Sequence, residues 1–258
     1  MSDTIFIKSA SEIEIMRKAG RITAGARSIA RQAMADGVST KHIDKCVHEF
    51  ILKSGAKPTF LGYGGFPGSA CVSVNDEIIH GIPGKRIIRD GDIVSLDVGA
   101  TFNGMVGDCA ATFPCGEVSE EAKKLIEVTR QSFFEGVKFA REGYRISDIG
   151  GAIQDYVESF GYSVVREYVG HGVGHVMHEA PEVPNYRPDR TGRRSDPRLV
   201  RGMTIAVEPM VNIGGCEVKT LSNGWTVVTA DGSLSAHYEN SILITDGEAE
   251  ILTMAEDI

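Results

Sequence analysis

An internal repeat is the sequence feature that most restricts how this chain can fold. Two predicted helices are bracketed by glycines 18 residues apart, Gly37 to Gly55 and Gly143 to Gly161. Alignment on these glycines superposes four apolar positions, namely Ile43, Val47, Phe50 and Ile51 on Ile149, Ile153, Tyr156 and Val157. Residues at this spacing form one face of a helix. The pattern therefore predicts a chain of two related halves, approximately residues 11–115 and 119–250.

The repeat extends to the ends of the elements and to polar residues. A longer helix is predicted before each bracketed one. The first starts with a capping box at Ser11 and Glu14, and the second starts at Ser119. A His-x-x-Pro motif then follows in each half, at His80 and at His178. Six residues after a glycine come the carboxylates Asp97 and Glu208, which the repeat places at equivalent positions. We therefore expect a site between the halves.

The segment DIVSLDVGATFNGMVGDCAATF predicts a β-hairpin that turns at Asn103 and Gly104. Directly opposed residues of this hairpin have residue numbers with a constant sum, which is odd whether the turn has two or four residues. Asp97 and Asp108 are 11 residues apart, so the sum of their residue numbers is also odd. The two carboxylates therefore project from the same face of the hairpin. Carboxylates so placed need a cation or a shared proton, because both cannot stay ionised without compensation.

Two further carboxylates and three histidines lie in motifs of the second half. Glu208 in TIAVEPM and Glu239 in HYENSILIT each accompany an apolar run, where an unpaired charge is expensive. The stretch GHGVGHVMH offers His171, His175 and His178, without the HExxH spacing of a single zinc site. Four carboxylates and an imidazole suit two divalent ions of manganese, iron, cobalt or zinc, the composition of a two-metal hydrolase.

Composition and charge disfavour other classes of protein. The net charge of −8 gives no general attraction to nucleic acid. The chain has no run of about 18 apolar residues, so we expect no membrane contact. Five cysteines without CxxC spacing indicate reduced thiols in a cytoplasmic protein. The arginine-rich segment, residues 187–201, is interpreted as a surface loop and is the one candidate for contact with an anionic partner such as ribosomal RNA.

Five motifs in this order resemble type I methionine aminopeptidase over nearly the whole chain: HGIP, LDVGATFNGMVGDCAATF, GHGVGHVMHEAPEVPNY, AVEPM and HYENSILIT. The resemblance implies an α+β, pita-bread fold, with two pseudo-symmetric α/β halves and antiparallel sheet around a central dinuclear metal site. We accordingly expect residues 1–258 to form a single catalytic domain. The implied activity is removal of the N-terminal methionine from nascent chains whose second residue is small.

The resemblance also implies a role for each site residue. Five metal ligands are expected, namely Asp97, Asp108, His171, Glu208 and Glu239. Glu208 would also shuttle a proton, and His80 and His178 would contact the substrate without binding metal. The methionine pocket is expected from Tyr63, Phe66, Cys71, Met177 and Trp225. Phe60 and Met177 depart from the enterobacterial pattern, which has cysteine and phenylalanine there. A monovalent cation, sodium or potassium, is expected near Asn75 and Ser235.

Two alternative functions share this fold. An Xaa-Pro aminopeptidase or prolidase has the same ligands, but those relatives carry an additional N-terminal domain, whereas the first helix is predicted here from Ser11. A non-enzymatic binding protein on the fold would lack several ligands, and all five are present. The expected partners are therefore the N-termini of nascent peptides and, through the arginine-rich segment, the ribosome. We expect a monomer with no specific nucleic-acid site.

Overall fold

The computed structural model describes residues 4–188 and 196–254, and these parts of the chain form four α-helices, a short 3-10 helix and fourteen strands. The helices are α1 (Ala10–Ala33), α2 (Thr40–Lys53), α3 (Glu120–Val137) and α4 (Ile146–Glu158), and the 3-10 helix covers Tyr63–Gly65. The strands are β1 (Lys57–Pro58), β2 (Ala70–Val74), β3 (Glu77–Ile79), β4 (Ile93–Phe102), β5 (Met105–Pro114), β6 (Ser163–Val164), β7 (Gly170–Gly172), β8 (Glu179–Val183), β9 (Thr204–Val207), β10 (Met210–Asn212), β11 (Val218–Thr220), β12 (Val227–Thr229), β13 (Ser235–Leu243) and β14 (Glu250–Ile251).

The four glycines that bracket the repeated helices have a left-handed backbone conformation. Gly37, Gly55, Gly143 and Gly161 have φ between 73° and 92°, a conformation that glycine adopts without the steric cost of a Cβ atom. Helices α2 and α4 lie between these glycines, and their predicted apolar faces are buried in the main core. The repeat therefore has a direct basis in the backbone of both halves.

The predicted start of the first helix is wrong by two residues. The side chain of Ser9, not Ser11, caps α1, and the Glu12 carboxylate accepts from the Ser9 backbone N–H at 2.7 Å. Both serines precede a glutamate by three, so local pattern does not separate them. Glu12 gains a tertiary partner in the ring of His175, 2.7 Å away. The start predicted at Ser119 is confirmed, since its side chain caps α3.

A large antiparallel sheet forms the centre of the fold. Its strand order is β1-β4-β5-β13-β9-β7-β8, and a separate three-stranded sheet is ordered β11-β12-β3. Helix α1 packs on β4 and β5, and α3 packs on β13, so one long helix covers each half of the sheet. Helices on an antiparallel sheet confirm the α+β class. The division of a single domain into halves at residues 11–115 and 119–250 stays a prediction.

The hairpin around Asn103 and Gly104 is present as predicted. Both residues have positive φ, 46° and 82°, and Phe102 pairs directly with Met105 across the two-residue turn. None of the helices in the described residues is both long and apolar enough to cross a membrane.

Candidate metal centre

The register of three strands places the first carboxylates on one face of the sheet. Asp97 of β4 pairs with Ala110 of β5, and Ala110 pairs with Glu239 of β13. Directly paired residues share a face, and Asp108 lies two residues from Ala110 on the same strand. Asp97, Asp108 and Glu239 therefore converge from three neighbouring strands, as the hairpin argument predicted for the first two.

The same face continues across the other half of the sheet. Ser241 of β13 pairs with Ala206 of β9, and Ala206 pairs with His171 of β7. Since Ser241 follows Glu239 by two residues, His171 points to the side of the carboxylates. Glu208 follows Ala206 by two and comes directly after the end of β9. The sheet register thus brings all five predicted ligands to one place.

Distances between side-chain atoms confirm that the five residues form one cluster. His171 Nε2 lies 3.6 Å from Asp108 Oδ2 and 3.6 Å from Glu208 Oε1. Asp108, His171 and Glu239 each offer a ligand atom, and these three atoms lie within 4.8 Å of one another. Ligand atoms of Asp97 and Glu239 are also within 4.8 Å of each other. The exposed fractions are between 2% and 9% for all five residues, so water can do little to screen their charges.

The chemistry of this cluster fits divalent cations. Asp97 Oδ1, Asp108 Oδ1 and Glu239 Oε1 are buried without a hydrogen-bond partner. Burial, reinforced by the neighbouring carboxylates, raises the pKa of Asp97 and of Glu239 well above the usual range. Anionic oxygens that lack donors are the ligands that hard and borderline divalent ions accept. A bound cation would supply the missing compensation.

His171 is oriented to present one nitrogen to the cluster. Its Nδ1 lies 2.9 Å from the carbonyl oxygen of Gly172, to which an Nδ1–H group donates. That hydrogen bond leaves Nε2 as the acceptor facing Asp108 and Glu208, as is usual for a histidine that binds metal. Burial lowers the pKa of His171, but the Asp108 and Glu208 carboxylates outweigh it, and the net pKa is raised.

His80 and His178 flank the carboxylates at the border of a cavity. Burial lowers the pKa of each to about 4, with a smaller contribution from a neighbouring imidazole, so both rings are neutral near pH 7. His178 Nδ1 lies 2.7 Å from the Tyr63 hydroxyl. His80 has φ of 58°, an uncommon conformation for a non-glycine residue that is often found at functional sites.

The cavity has a volume of about 370 Å³ and opens beside the carboxylates. All five residues predicted for the substrate pocket line it, namely Tyr63, Phe66, Cys71, Met177 and Trp225. Phe66, Cys71 and Met177 are buried, whereas Tyr63 is exposed at the rim. Phe60 belongs to the wall, and so do Ile79 and Tyr168, which the sequence argument did not select.

His237 is a cluster residue that the sequence argument missed. Its Nε2 lies 3.6 Å from Glu208 Oε2 and 3.9 Å from Glu239 Oε2, and its side chain is buried. The sequence does hold a signal for it: His237 precedes Glu239 by two residues in a predicted strand, and residues two apart in a strand lie on the same face. His175 is different: it lies away from this cluster, where it pairs with Glu12.

The remaining sequence predictions fall at two other places. Asn75 and Ser235, expected near a monovalent cation, are adjacent, and the Ser235 N–H donates to the Asn75 carbonyl at 3.0 Å. In the arginine-rich segment, Arg193 and Arg194 lie outside the described residues. Arg187 is described, and it forms an ion pair with Asp155.

Comparisons with known proteins agree with this geometry. Residues 14–246 match metallopeptidase family M24. The chain is 56% identical over 253 residues to a methionine aminopeptidase of Clostridium acetobutylicum, a match that covers 98% of this chain and 100% of that protein. A solved methionine aminopeptidase of Thermotoga maritima superposes with a TM-score of 0.93 at 45% identity, covering 98% of this chain and 100% of that one.

A prolidase of Pyrococcus furiosus shares the fold at a greater distance. It superposes with a TM-score of 0.77 at 23% identity, and the match covers 97% of this chain but 66% of the prolidase. The family match spans most of the chain, and the buried carboxylates fit the divalent metal ions of a metallopeptidase. The chain belongs to metallopeptidase family M24.

Proposed function

We propose that the protein is a methionyl aminopeptidase, which removes the N-terminal methionine from peptides and nascent proteins whose second residue is small. The observation that carries this proposal is the apolar cavity directly beside the buried carboxylate cluster. Its volume of about 370 Å³ is in the range of small-molecule pockets, and it suits one unbranched apolar side chain. Similarity to methionine aminopeptidases over nearly the whole chain supports the same substrate.

The proposed metal ligands are Asp97, Asp108, His171, Glu208 and Glu239. The ligand set accepts cobalt, manganese, iron or zinc, and availability in the cell selects among them. When bound, two such ions polarise a peptide carbonyl and activate water as a nucleophile. A sodium or potassium ion near Asn75 and Ser235 is proposed as a structural cation, on the resemblance to the family and because these two residues are adjacent in the structure.

Three residues of the chain would act on the reacting groups. Glu208 accepts a proton on the approach of the nucleophile and passes it to the departing amine. His178, with Nδ1 occupied by Tyr63, directs Nε2–H toward the carbonyl oxygen as that oxygen gains charge. His80 contacts the scissile nitrogen. Each histidine would supply about 3 kcal/mol of preferential transition-state stabilisation.

Specificity for methionine would come from the cavity wall. The buried aromatic and sulfur-containing side chains of Phe60, Phe66, Cys71 and Met177 form the uncharged wall of a slot in the cavity, against which a thioether packs well. Phe60 and Met177 set the shape of this slot, so its depth and inhibitor preference would differ from those of enterobacterial enzymes. A bulky second residue would clash at the mouth, near the exposed Tyr63.

The test begins with metal analysis of protein purified without added metal. Activity is then measured on Met-Ala-Ser, Met-Leu-Ser and an Ala-Pro peptide with cobalt, manganese, iron and zinc in turn. We expect Met-Ala-Ser to be the preferred substrate. Preferential cleavage of Ala-Pro would instead support a prolidase-type enzyme, and inactivity with every ion, in protein shown by circular dichroism to be folded, would support a binding protein.

The separate roles of ligands and histidines are tested by substitution. His80→Ala and His178→Ala should each lower kcat by about two orders of magnitude, the size found when one such donor is removed, while metal content stays normal. Asp108→Asn should lose metal. Loss of bound metal in His80→Ala would refute the substrate-contacting role assigned to it.

The cellular setting is also part of the proposal. The five cysteines are free thiols, which supports action in the reducing cytoplasm, and we propose a monomer. Ribosome contact would use the arginine-rich segment. Arg187 and Arg201 of this segment already form ion pairs with Asp155 and Asp246, so the experiment targets three of its other arginines. Neutralising Arg193, Arg194 and Arg198 should weaken ribosome co-sedimentation, and unchanged co-sedimentation would remove this surface from consideration.

A further inference from the structure

His237 is a buried histidine to which the proposed reaction assigns no role. It lies on β13 with an exposed fraction of 2%. Its backbone is held on both sides by Thr112, which accepts from the His237 N–H at 2.8 Å and donates to the His237 carbonyl at 3.0 Å. Neither ring nitrogen has a hydrogen-bond partner. Its strand is therefore fixed, while its buried polar atoms still need partners.

Two proposed metal ligands lie close to the ring of His237. Nε2 of His237 lies 3.6 Å from Glu208 Oε2 and 3.9 Å from Glu239 Oε2. The other oxygen of Glu208, Oε1, lies 3.6 Å from His171 Nε2. Glu208 thus lies between two imidazoles, with one carboxylate oxygen toward each. A shift of about 0.5 Å, the size of ordinary atomic displacements, brings Nε2 and Oε2 to hydrogen-bond distance.

We propose that His237 is a positioning residue, whose Nε2–H donates to Glu208 Oε2 and holds this carboxylate with Oε1 directed toward the metal ions and His171. A neutral imidazole carries one N–H, and two carboxylate oxygens face Nε2, so the proton belongs on that nitrogen. Hydrogen bonds to ligating carboxylates orient them and tune metal affinity. This inference rests on the proposed function, because Glu208 is both ligand and proton carrier there.

A different role for the ring is direct metal binding. One potential ligand atom each from Asp97, His237 and Glu239 lie within 4.8 Å of one another. The hydrogen-bond role is favoured because Nε2 lies nearest to a carboxylate oxygen that faces away from His171. The two roles differ in what can replace the imidazole: a glutamine amide also donates an N–H, but it is a poor ligand for cobalt or zinc.

The experiment compares His237→Gln with His237→Leu in the full-length protein. Affinity for cobalt is measured by calorimetry without substrate, and kcat and KM are measured on Met-Ala-Ser. We expect His237→Leu to lose about tenfold to hundredfold in metal affinity or in kcat, with KM changed less than about threefold. His237→Gln should stay within about threefold of the unaltered protein. Tyr238→Phe, on the opposite face of β13, is the matched control and should leave metal affinity unchanged.

Two results would overturn the proposal. Unaltered metal affinity and kcat in His237→Leu would show that the ring positions nothing, and equal losses in both variants would assign direct ligation instead. If His237→Leu does not fold, nitrogen NMR of the zinc-loaded protein, assigned with His237→Gln, decides the matter: a protonated Nε2 supports the proposal and a bare Nε2 overturns it. Because calorimetry needs no substrate, it also separates failure of this inference from failure of the proposed activity.

Discussion

A buried ion pair between Lys8 and Glu179 fastens the loop that carries Met177 and His178. Both side chains are 1% exposed, and the chain positions are 171 residues apart. The Glu179 carboxylate also accepts from the backbone N–H groups of His175 and Val176, at 2.5 and 3.3 Å. The pair therefore joins the N-terminal segment to the wall of the cavity.

Removing one member of this pair should destabilise the protein strongly. Lys8→Met keeps much of the apolar stem of lysine but leaves the Glu179 charge buried without its cation. Breaking a fully buried pair in this way costs about 3–5 kcal/mol in the free energy of unfolding. At about 2–4 °C per kcal/mol for a chain of this size, the expected fall in Tm is about 10 °C. Displacement of His178 should also lower kcat on Met-Ala-Ser about tenfold or more.

Urea unfolding of metal-loaded protein, monitored by circular dichroism, measures this effect. The double variant Lys8→Met with Glu179→Gln removes both charges and retains an acceptor for the two N–H groups, so it should recover most of the stability lost in Lys8→Met. Lys45→Met is the control, because Lys45 pairs with Glu49 at 3.8 Å on the surface and its loss should cost less than about 1 kcal/mol. A double variant no more stable than Lys8→Met would refute the reasoning.

Three further predictions concern the metal centre and the cavity. First, the free energy of unfolding of the metal-free protein, measured by urea unfolding in the presence of a chelator, should fall as pH rises. The fall starts at about pH 4, where the carboxylates of the unfolded chain ionise, and continues through the raised pKa values of Asp97 and Glu239 in the folded protein. Excess cobalt should abolish this fall. Asp97→Asn should stabilise the metal-free protein at pH 8 by about 1–3 kcal/mol yet lower the bound metal per chain, measured by elemental analysis. Tyr63→Phe should lower kcat about threefold to tenfold at unchanged metal content, because it releases Nδ1 of His178; unchanged steady-state kinetics would contradict that role.

Local rules account for the features that were predicted correctly from the sequence. Gly55 and Gly161 follow the ends of α2 and α4 because positive φ is accessible to glycine, a property of the residue itself. Asp97 and Asp108 lie on the same face of the hairpin because side chains alternate between faces along a strand, and the turn at Asn103 sets which residues lie opposite each other. Resemblance to a family supplied the rest of the ligand set, and the structure brings those residues into one cluster.

Other features depended on groups far apart in the chain. The local sequence does not show that Ser9 rather than Ser11 caps α1, since both serines precede a glutamate by three residues. Glu12 contacts His175 only after folding. His237 becomes significant only where β13 lies beside Glu208.

By itself, the sequence determined the repeat, the hairpin and the residue types of the metal centre, because periodicity, glycine φ and carboxylate chemistry act over a few residues. Tertiary structure alone decided which buried polar groups face one another. The ion pair of Lys8 and Glu179 shows why. Its strength depends on how deeply the two charges are buried and on the distance between them, and neither can be read from their positions in the sequence.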